Sequence, residues 1–265
     1  AYDHPDLAVT DALRLSRAMS YKNAMAGLDL GGGKGVILRP EGDFDREALF
    51  TAYGHVIETL GGIYCTAEDV GVSTDDMHIV RRQTRHVGGL NEGAAASGDP
   101  SPVTADGVFR GLHIAARHAL GAGSLKGLRV AVQGLGHVGY NLCERLHSAG
   151  AELVVADINM AAVEKAVSEL GATAVSAASI HTADVDIYAP CALGGAVNAV
   201  TIDEIKAPIV GGAANNQLAT PEMGQALKQR GILYCPDYVL NGGGIINVAA
   251  ELSGTYDPAW VDGKL

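Results

Sequence analysis

The stretch that decides the fold runs from residue 128 to residue 157 and opens Leu128-Arg-Val-Ala-Val-Gln-Gly134-Leu-Gly136-His-Val-Gly139. A short apolar run at 130–132 predicts a strand, and three glycines spaced G-x-G-x-x-G end it. Apolar residues then recur at helical spacing as far as Gly150, a residue suited to a left-handed helix cap. A second apolar run follows and ends at Asp157. The stretch therefore predicts a strand–helix–strand unit.

Each of these glycines has a physical role in a dinucleotide-binding turn. Gly134 permits the tight turn, Gly136 lets the backbone approach a pyrophosphate, and Gly139 lets helix and strand pack closely. The N–H groups at the helix N-terminus attract the phosphates. Asp157 follows at about the 20-residue spacing expected of a carboxylate that binds the adenosine ribose. Because this carboxylate would repel a 2′-phosphate, the pattern predicts NAD rather than NADP. The alternative is a flexible glycine turn in another kind of α/β domain.

Composition limits the class of protein. The chain has 265 residues, 48% hydrophobic and 18% charged, with a net charge of −11. This length allows one large domain or two modest ones, and the acidic balance argues against nucleic acid as a partner. We find no signal-peptide pattern, no apolar run long enough for a membrane span and no H-E-x-x-H metal motif, so neither a membrane nor a metal is expected. The four cysteines, without a C-x-x-C pair, indicate reduced thiols in a cytoplasmic protein.

The segment around Lys34 contains three consecutive glycines and superficially resembles a phosphate-binding loop. The pattern G-x-x-x-x-G-K-[ST] fails because Leu28 and Gly35 occupy two of its required positions. We instead predict a glycine-lined turn that enters a strand at 36–38. Lys22 precedes it near the end of a predicted helix. Two lysines in one cleft would lower each other's pKa; the alternative is that both are solvated surface residues.

Two acids, Glu68 and Asp69, directly follow a predicted strand at 63–67. Carboxylates at a strand end are well placed for acid/base chemistry. The alternative is that an acid here caps the next helix, predicted at 73–80. The sequence leaves both interpretations open.

The domain organisation follows from the loop at 88–102, which is rich in glycine, serine and proline. Beyond it, strands and helices alternate, which predicts a parallel, doubly wound sheet. We therefore expect an α/β fold with two domains: an α/β substrate domain at 1–98 and a Rossmann-type NAD-binding domain at 99–265.

Seven segments occur in the same order as in the Glu/Leu/Phe/Val amino-acid dehydrogenases, and the chain resembles this family over nearly its whole length. Within the family it is most similar to the leucine (branched-chain) dehydrogenases and next to the phenylalanine dehydrogenases. The segments are Tyr21–Ala24, Gly31–Ile37, Thr66–Gly71, Pro100–Thr104, Tyr188–Gly194, Ala213–Leu218 and Asn241–Asn247.

The resemblance implies roles for the residues already considered. It implies that Lys22 pairs with the substrate α-carboxylate, that Lys34 is a partly neutral general base, and that Asp69 relays protons around it. Burial and the neighbouring Lys22 are both expected to lower the pKa of Lys34. The resemblance also implies a side-chain pocket and further cofactor contacts. The pocket residues are Ala67, Ile245 and Val248; the cofactor contacts are Thr104, His137, Val138, Cys191 and Asn216, the last also lying near the substrate amine.

The resemblance further implies reversible, NAD-dependent oxidative deamination of leucine, valine or isoleucine to the 2-oxo acid and ammonia by a homo-oligomer. Two alternatives remain. One is a phenylalanine dehydrogenase. The other is a catalytically silent NAD-binding module, because the family has further N- and C-terminal structure that this sequence does not contain, and the first domain is expected to be truncated.

Overall fold

The computed structural model describes residues 4–69, 71–90, 98–254 and 256–265. The chain forms two compact units: Ala1–Pro100 with Ile245–Lys264, and Ser101–Gly244 with Leu265. The first unit thus includes a C-terminal segment that the sequence analysis assigned to the NAD-binding domain. Within the predicted glycine-rich loop at 88–102, residues 91–97 lie outside the described residues. The functional domain limits stay predictions.

The first unit begins with helices that have clear capping signals. Helix α1 (Pro5–Met25) starts after His4, whose ring accepts the Asp6 N–H. Asp45 caps α2 (Arg46–Thr59), and Ser73 with Asp76 forms a capping box on α3 (Thr74–Arg81). Strands β1 (Thr66–Ala67) and β2 (Val87–Gly88) pair in parallel. A small apolar core joins α2, α3 and β2; its buried members are Phe50, Met77, Val80, Val87 and Leu90.

Two strand predictions in this unit were wrong. Residues 36–38 form no strand, and the predicted strand at 63–67 is reduced to Thr66–Ala67. A strand requires a hydrogen-bonded neighbour, and β2, the one partner of β1 among the described residues, pairs with it over two residues. The apolar run at 36–38 therefore continues as an irregular loop.

The second unit contains a six-stranded parallel sheet in the order β5-β4-β3-β6-β7-β8. This is the order of a doubly wound dinucleotide-binding fold, so the predicted fold class is confirmed. The strands are β3 (Arg129–Gln133), β4 (Glu152–Ala156), β5 (Thr173–Ala174), β6 (Ile187–Pro190), β7 (Ile209–Val210) and β8 (Leu233–Tyr234). The intervening helices are α4 (Ser101–Leu120), α5 (His137–Ser148), α6 (Met160–Leu170), a 3₁₀ turn (Ile180–Thr182), α7 (Glu222–Gln229) and α8 (Asp237–Leu240).

Side-chain alternation along the central strand explains why both faces of this sheet are covered. Val130 and Val132 pack into one buried cluster, which includes residues of α4 and α5, whereas Ala131 packs into the other. Both faces are apolar, as expected for a parallel sheet with helices on either side. The carboxyl ends of the strands are the edge at which such sheets bind ligands.

Two helices complete the chain, α9 (Gly243–Leu252) and α10 (Pro258–Lys264). The start of α9 lies very close to α4: a Cβ on Gly243 would lie 2.4 Å from the carbonyl oxygen of Val103. Only glycine fits at this position. None of the helices in the described parts of the chain is both long enough and apolar enough to cross a bilayer.

Candidate active site

The glycine turn after β3 has the geometry that a dinucleotide requires. Gly134 adopts φ +101°, and a Cβ there would lie 2.7 Å from the backbone nitrogen of Ala192. A Cβ on Gly139 would lie 2.0 Å from the carbonyl oxygen of Gly134. A Cβ on Gly136, by contrast, would meet no atom within 4 Å. The chain itself therefore requires the first and third glycines, and open space lies beside the second, at the N-terminus of α5, where a pyrophosphate would fit.

Asp157 lies half-buried just beyond the end of β4 and forms a hydrogen bond with the glycine turn that follows β3. Its Oδ2 accepts the Leu135 N–H at 2.5 Å, and its Oδ1 accepts the Asn159 N–H at 2.7 Å. A carboxylate can accept about four hydrogen bonds, so both oxygens retain acceptor capacity for ribose hydroxyls. The residues present thus fit NAD.

The loop that carries Lys34 lies against the end of α1, the helix that carries Lys22 in its last turn. Nδ2 of the buried Asn23 donates to the carbonyl oxygen of Gly31 at 2.6 Å. A Cβ on Gly32 would lie 2.0 Å from the carbonyl oxygen of Ser16. The structure therefore brings the segments of both predicted lysines together, and the glycines permit their close approach.

Two tyrosines that sequence reasoning missed hold the same loop. The Gly35 N–H donates to the hydroxyl of Tyr64 at 3.0 Å, and a Cβ on Gly33 would lie 2.7 Å from the Tyr64 ring. A Cβ on Gly35 would lie 2.6 Å from the hydroxyl of Tyr53, which also forms a 3.0 Å hydrogen bond with Thr66. Burial raises the pKa of Tyr53 to about 12. The sequence predicted a glycine-lined turn here but gave no sign of either tyrosine.

Lys34 forms an ion pair with Asp69. The side chain of Lys34 is 18% exposed and that of Asp69 is 45% exposed. Burial of the ammonium lowers the pKa of Lys34 below its ordinary value of 10.5. The predicted direction of this shift is confirmed, with burial as its cause. A lysine in this environment can exchange a proton with the neighbouring carboxylate more readily than a solvated one.

The two adjacent acids have different partners, and among the described contacts neither caps α3, whose N-cap is Ser73. Oε2 of Glu68 accepts the hydroxyl of Thr74, the first residue of α3, at 2.7 Å. Asp69 instead contacts Lys34. Arg46 donates to the carbonyl oxygen of Gly71 at 3.0 Å and thereby fixes the turn between the acids and α3.

The predicted pocket residues Ala67 and Val248 are both neighbours of Gly88. Ala67 pairs with Gly88 in the β1–β2 ladder, and Cγ1 of Val248 lies 3.1 Å from where a Cβ on Gly88 would stand. Ile245 precedes Val248 by three residues on α9, so both occupy one face of the helix. Gly88 was not among the predicted residues.

Asn216 has a left-handed backbone, with φ +51°, and is the one non-glycine residue with positive φ among the residues described. Its N–H donates to the buried carboxylate of Asp237 at 2.7 Å, and its carbonyl oxygen accepts the Gly195 N–H at 2.8 Å. Strained backbone of this kind persists where the surroundings fix it, often at functional sites. Asp237 was missed by sequence reasoning, since no local pattern links it to Asn216.

The remaining predicted cofactor residues lie in the second unit. His137 and Val138 are the first residues of α5, and Thr104 lies in the first turn of α4. The sulfur of Cys191 accepts the Ala213 N–H at 3.5 Å, and burial raises the pKa of Cys191 to about 12. Its thiol is therefore neutral and suited to packing rather than to nucleophilic attack. Within the described ranges, no three His, Cys, Asp or Glu side chains are grouped as metal ligands.

Comparisons with known proteins point to one enzyme family. Residues 2–86 match the family described as "Glu/Leu/Phe/Val dehydrogenase, dimerisation domain", and residues 156–262 match "Glutamate/Leucine/Phenylalanine/Valine dehydrogenase". The chain is 51% identical over 253 residues to the leucine dehydrogenase of Bacillus subtilis, covering 96% of this chain and 70% of that protein.

Two further relatives extend the comparison. The valine dehydrogenase of Streptomyces virginiae is 46% identical over 256 residues, covering 96% of this chain and 72% of that protein. Among solved structures, L-tryptophan dehydrogenase from Nostoc punctiforme superposes with a TM-score of 0.79 at 41% identity, covering 99% of this chain and 75% of that one.

Proposed function

Because the chain belongs to the Glu/Leu/Phe/Val dehydrogenase family, we propose that it catalyses the NAD-dependent oxidative deamination of branched-chain L-amino acids. The products are the 2-oxo acid, ammonia and NADH, and the reaction is reversible. The observation that carries the proposal is the ion pair between Asp69 and Lys34, whose pKa is lowered by burial. The leucine and valine dehydrogenases among the relatives support the substrate class.

When bound, NAD supplies the acceptor for a hydride from the substrate Cα. Gly134, Gly136 and Gly139 with the first residues of α5 would hold its pyrophosphate, and Asp157 its adenosine ribose. The Asp157 carboxylate disfavours a 2′-phosphate, which supports NAD over NADP as the cofactor. We assign the nicotinamide end to Thr104 and Asn216.

The substrate would be held by its charged ends. Lys22, as an ammonium, would pair with the α-carboxylate. This ion pair is stronger when water is excluded than in bulk water. Neutral Lys34 would accept a proton from the water that adds to the oxidised substrate carbon. Asp69, in contact with Lys34, would then take that proton onward, so the amine is restored. Collapse of the resulting carbinolamine releases ammonia and the 2-oxo acid.

Selectivity would depend on Ala67, Ile245 and Val248. Aliphatic side chains of this size favour leucine, valine or isoleucine, although one methylene changes the transition-state free energy by only about 1–3 kcal/mol. Phenylalanine is accordingly the runner-up substrate. The Lys34–Asp69 contact favours a catalytic chain over a silent NAD-binding module, because a partly buried lysine with a lowered pKa beside a carboxylate is typical of an acid/base site.

We also propose that the chain forms a homo-oligomer through the first unit. Its α1 exposes apolar side chains that a partner would cover: Leu7, Val9 and Leu13 are 51%, 59% and 67% exposed. The match of residues 2–86 to a dimerisation domain supports this assignment. A cytoplasmic location is proposed as well, supported by four cysteines that are all free thiols.

The proposed function is tested by mixing the protein with NAD and one amino acid at alkaline pH and following the absorbance of NADH. Leucine, valine and isoleucine should give the highest kcat/KM, with phenylalanine lower and glutamate lowest. Higher kcat/KM for phenylalanine would support the runner-up. No NADH with any of these amino acids would overturn the proposal.

A further inference from the structure

A buried carboxylate on α9 holds the end of β2. Glu251 is 8% exposed, and its two oxygens accept backbone N–H groups from consecutive residues: Gly89 donates to Oε2 at 2.9 Å and Leu90 to Oε1 at 3.2 Å. Hydrogen bonds to a charged acceptor are stronger than neutral ones. This carboxylate was not among the residues predicted from the sequence.

The position of Glu251 on α9 links this contact to the side-chain pocket. Glu251 follows Val248 by three residues, so both lie on the helix face that meets β2. Val248 contacts the position of Gly88, the residue just before the two that Glu251 binds, and Gly88 pairs with Ala67. The hydrogen bonds between Glu251 and the residues after β2 therefore determine the separation between Ala67 and Val248.

Resting on the proposed function, we infer that Glu251 is a positioning residue that fixes the width of the substrate side-chain pocket. We assign it no contact with the substrate or the cofactor. Its carboxylate fastens α9 against β2, so that Val248 stands at a defined distance from Ala67. Loss of the carboxylate would let this wall move and would weaken contacts with a branched aliphatic side chain. The α-carboxylate and amine contacts would be unaffected.

The chemistry of the site predicts which substitutions loosen it. In Glu251→Gln, one oxygen becomes an NH₂ group that faces an N–H donor, so one hydrogen bond is lost and two donors oppose each other. Glu251→Asp keeps the charge but is one methylene shorter and cannot reach both N–H groups. Glu164→Gln, an exposed glutamate on α6, is the matched control.

Two measurements test the inference on the full chain. Hydrogen exchange at the Gly89 and Leu90 amides should accelerate in Glu251→Gln and remain unchanged in Glu164→Gln. The KM for leucine should rise about tenfold in Glu251→Gln with kcat changed less than about twofold, the pattern expected when binding shared by the ground state and the transition state is lost. The kcat/KM for alanine, whose side chain is too short to reach the wall, should change little, so the leucine-to-alanine ratio falls. Glu251→Asp should lie between Glu251→Gln and the unmutated protein.

A merely structural role for Glu251 would give a different result. Partial unfolding lowers the active fraction, so kcat would fall equally for leucine and alanine, and the ratio would not move. A double-mutant cycle with Val248→Ala provides a second criterion, since an effect transmitted through Val248 is non-additive. An unchanged leucine-to-alanine ratio, or additive effects in the cycle, would overturn the inference and leave the proposed function standing. Absence of turnover in the unmutated protein would overturn the proposed function itself.

Discussion

Nζ of Lys34 contacts Oδ2 of Asp69, which connects the glycine loop to the second residue after β1. The contact places a proton acceptor beside an amine whose pKa is lowered by burial. The neighbouring acid Glu68, which faces α3, has a different partner. The adjacent pair thus provides a matched comparison of the carboxylate proposed to be catalytic, Asp69, with one that contacts α3, Glu68.

Asp69→Asn should reduce turnover by about a hundredfold or more, because the amide cannot take the proton from Lys34. Glu68→Gln should retain turnover within about twofold, since the Gln carbonyl still accepts the Thr74 hydroxyl. Both are measured as kcat with saturating NAD and leucine. Equal losses in the two variants would contradict the assigned roles.

Amino-acid oxidation should lose rate as the pH falls through the pKa of Lys34, which lies below 10.5. The sign follows from the mechanism: only the neutral amine accepts a proton, so the active form predominates above that pKa and is lost below it. The reverse reaction starts from the ammonium and should show the opposite dependence. The prediction is tested by measuring the rates of oxidation and of the reverse reaction from neutral pH to pH 10.5. An oxidation rate that rises as the pH falls would contradict it.

The glycine turn allows separation of folding from cofactor binding. Gly139→Ala places a Cβ 2.0 Å from a backbone carbonyl oxygen, so it should destabilise the protein by about 1–3 kcal/mol. Gly136→Ala meets open space and should leave the melting temperature nearly unchanged. It should still weaken NAD binding, because its methyl group occupies the approach of the pyrophosphate. Calorimetry of unfolding measures the loss of stability in Gly139→Ala, and calorimetry of NAD binding measures the loss of affinity in Gly136→Ala. NAD binding by Gly136→Ala as tight as that of the unmutated protein would refute the cofactor assignment.

Asp157→Asn should raise the NADP-to-NAD ratio of kcat/KM by about tenfold or more, because the repulsion of a 2′-phosphate is removed. The amide oxygen can still accept one of the two N–H groups that Asp157 binds. Glu152→Gln, at the other end of β4, makes the same change of charge away from the ribose position and is the control. A ratio unaltered in Asp157→Asn would show that this carboxylate does not select the cofactor.

The doubly wound sheet could be predicted because its signals are local. Apolar strands, glycine turns and amphipathic helices alternate with regular spacing, and the order of the strands then follows from the fold class. Local signals could not show that residues 36–38 form no strand, because strand formation depends on a hydrogen-bonded partner that is distant in sequence.

The candidate site was predictable where residue type and motif coincide. Lys34 and Asp69 meet as the resemblance implied, and burial lowers the pKa of the lysine. The residues that hold them were not predictable: Tyr64 and Glu251 act through backbone N–H groups far away in sequence. Such contacts leave no local pattern, because a backbone donor is present at almost every residue.

The most direct test of the account is the Lys34→Ala variant, assayed for turnover of leucine and for binding of NADH by calorimetry. With its general base removed and its glycine turn untouched, the variant should lose turnover by about a thousandfold or more. Its Kd for NADH should stay within about twofold of the unmutated protein. Undiminished turnover in this variant would remove Lys34 from the mechanism and contradict the central claim.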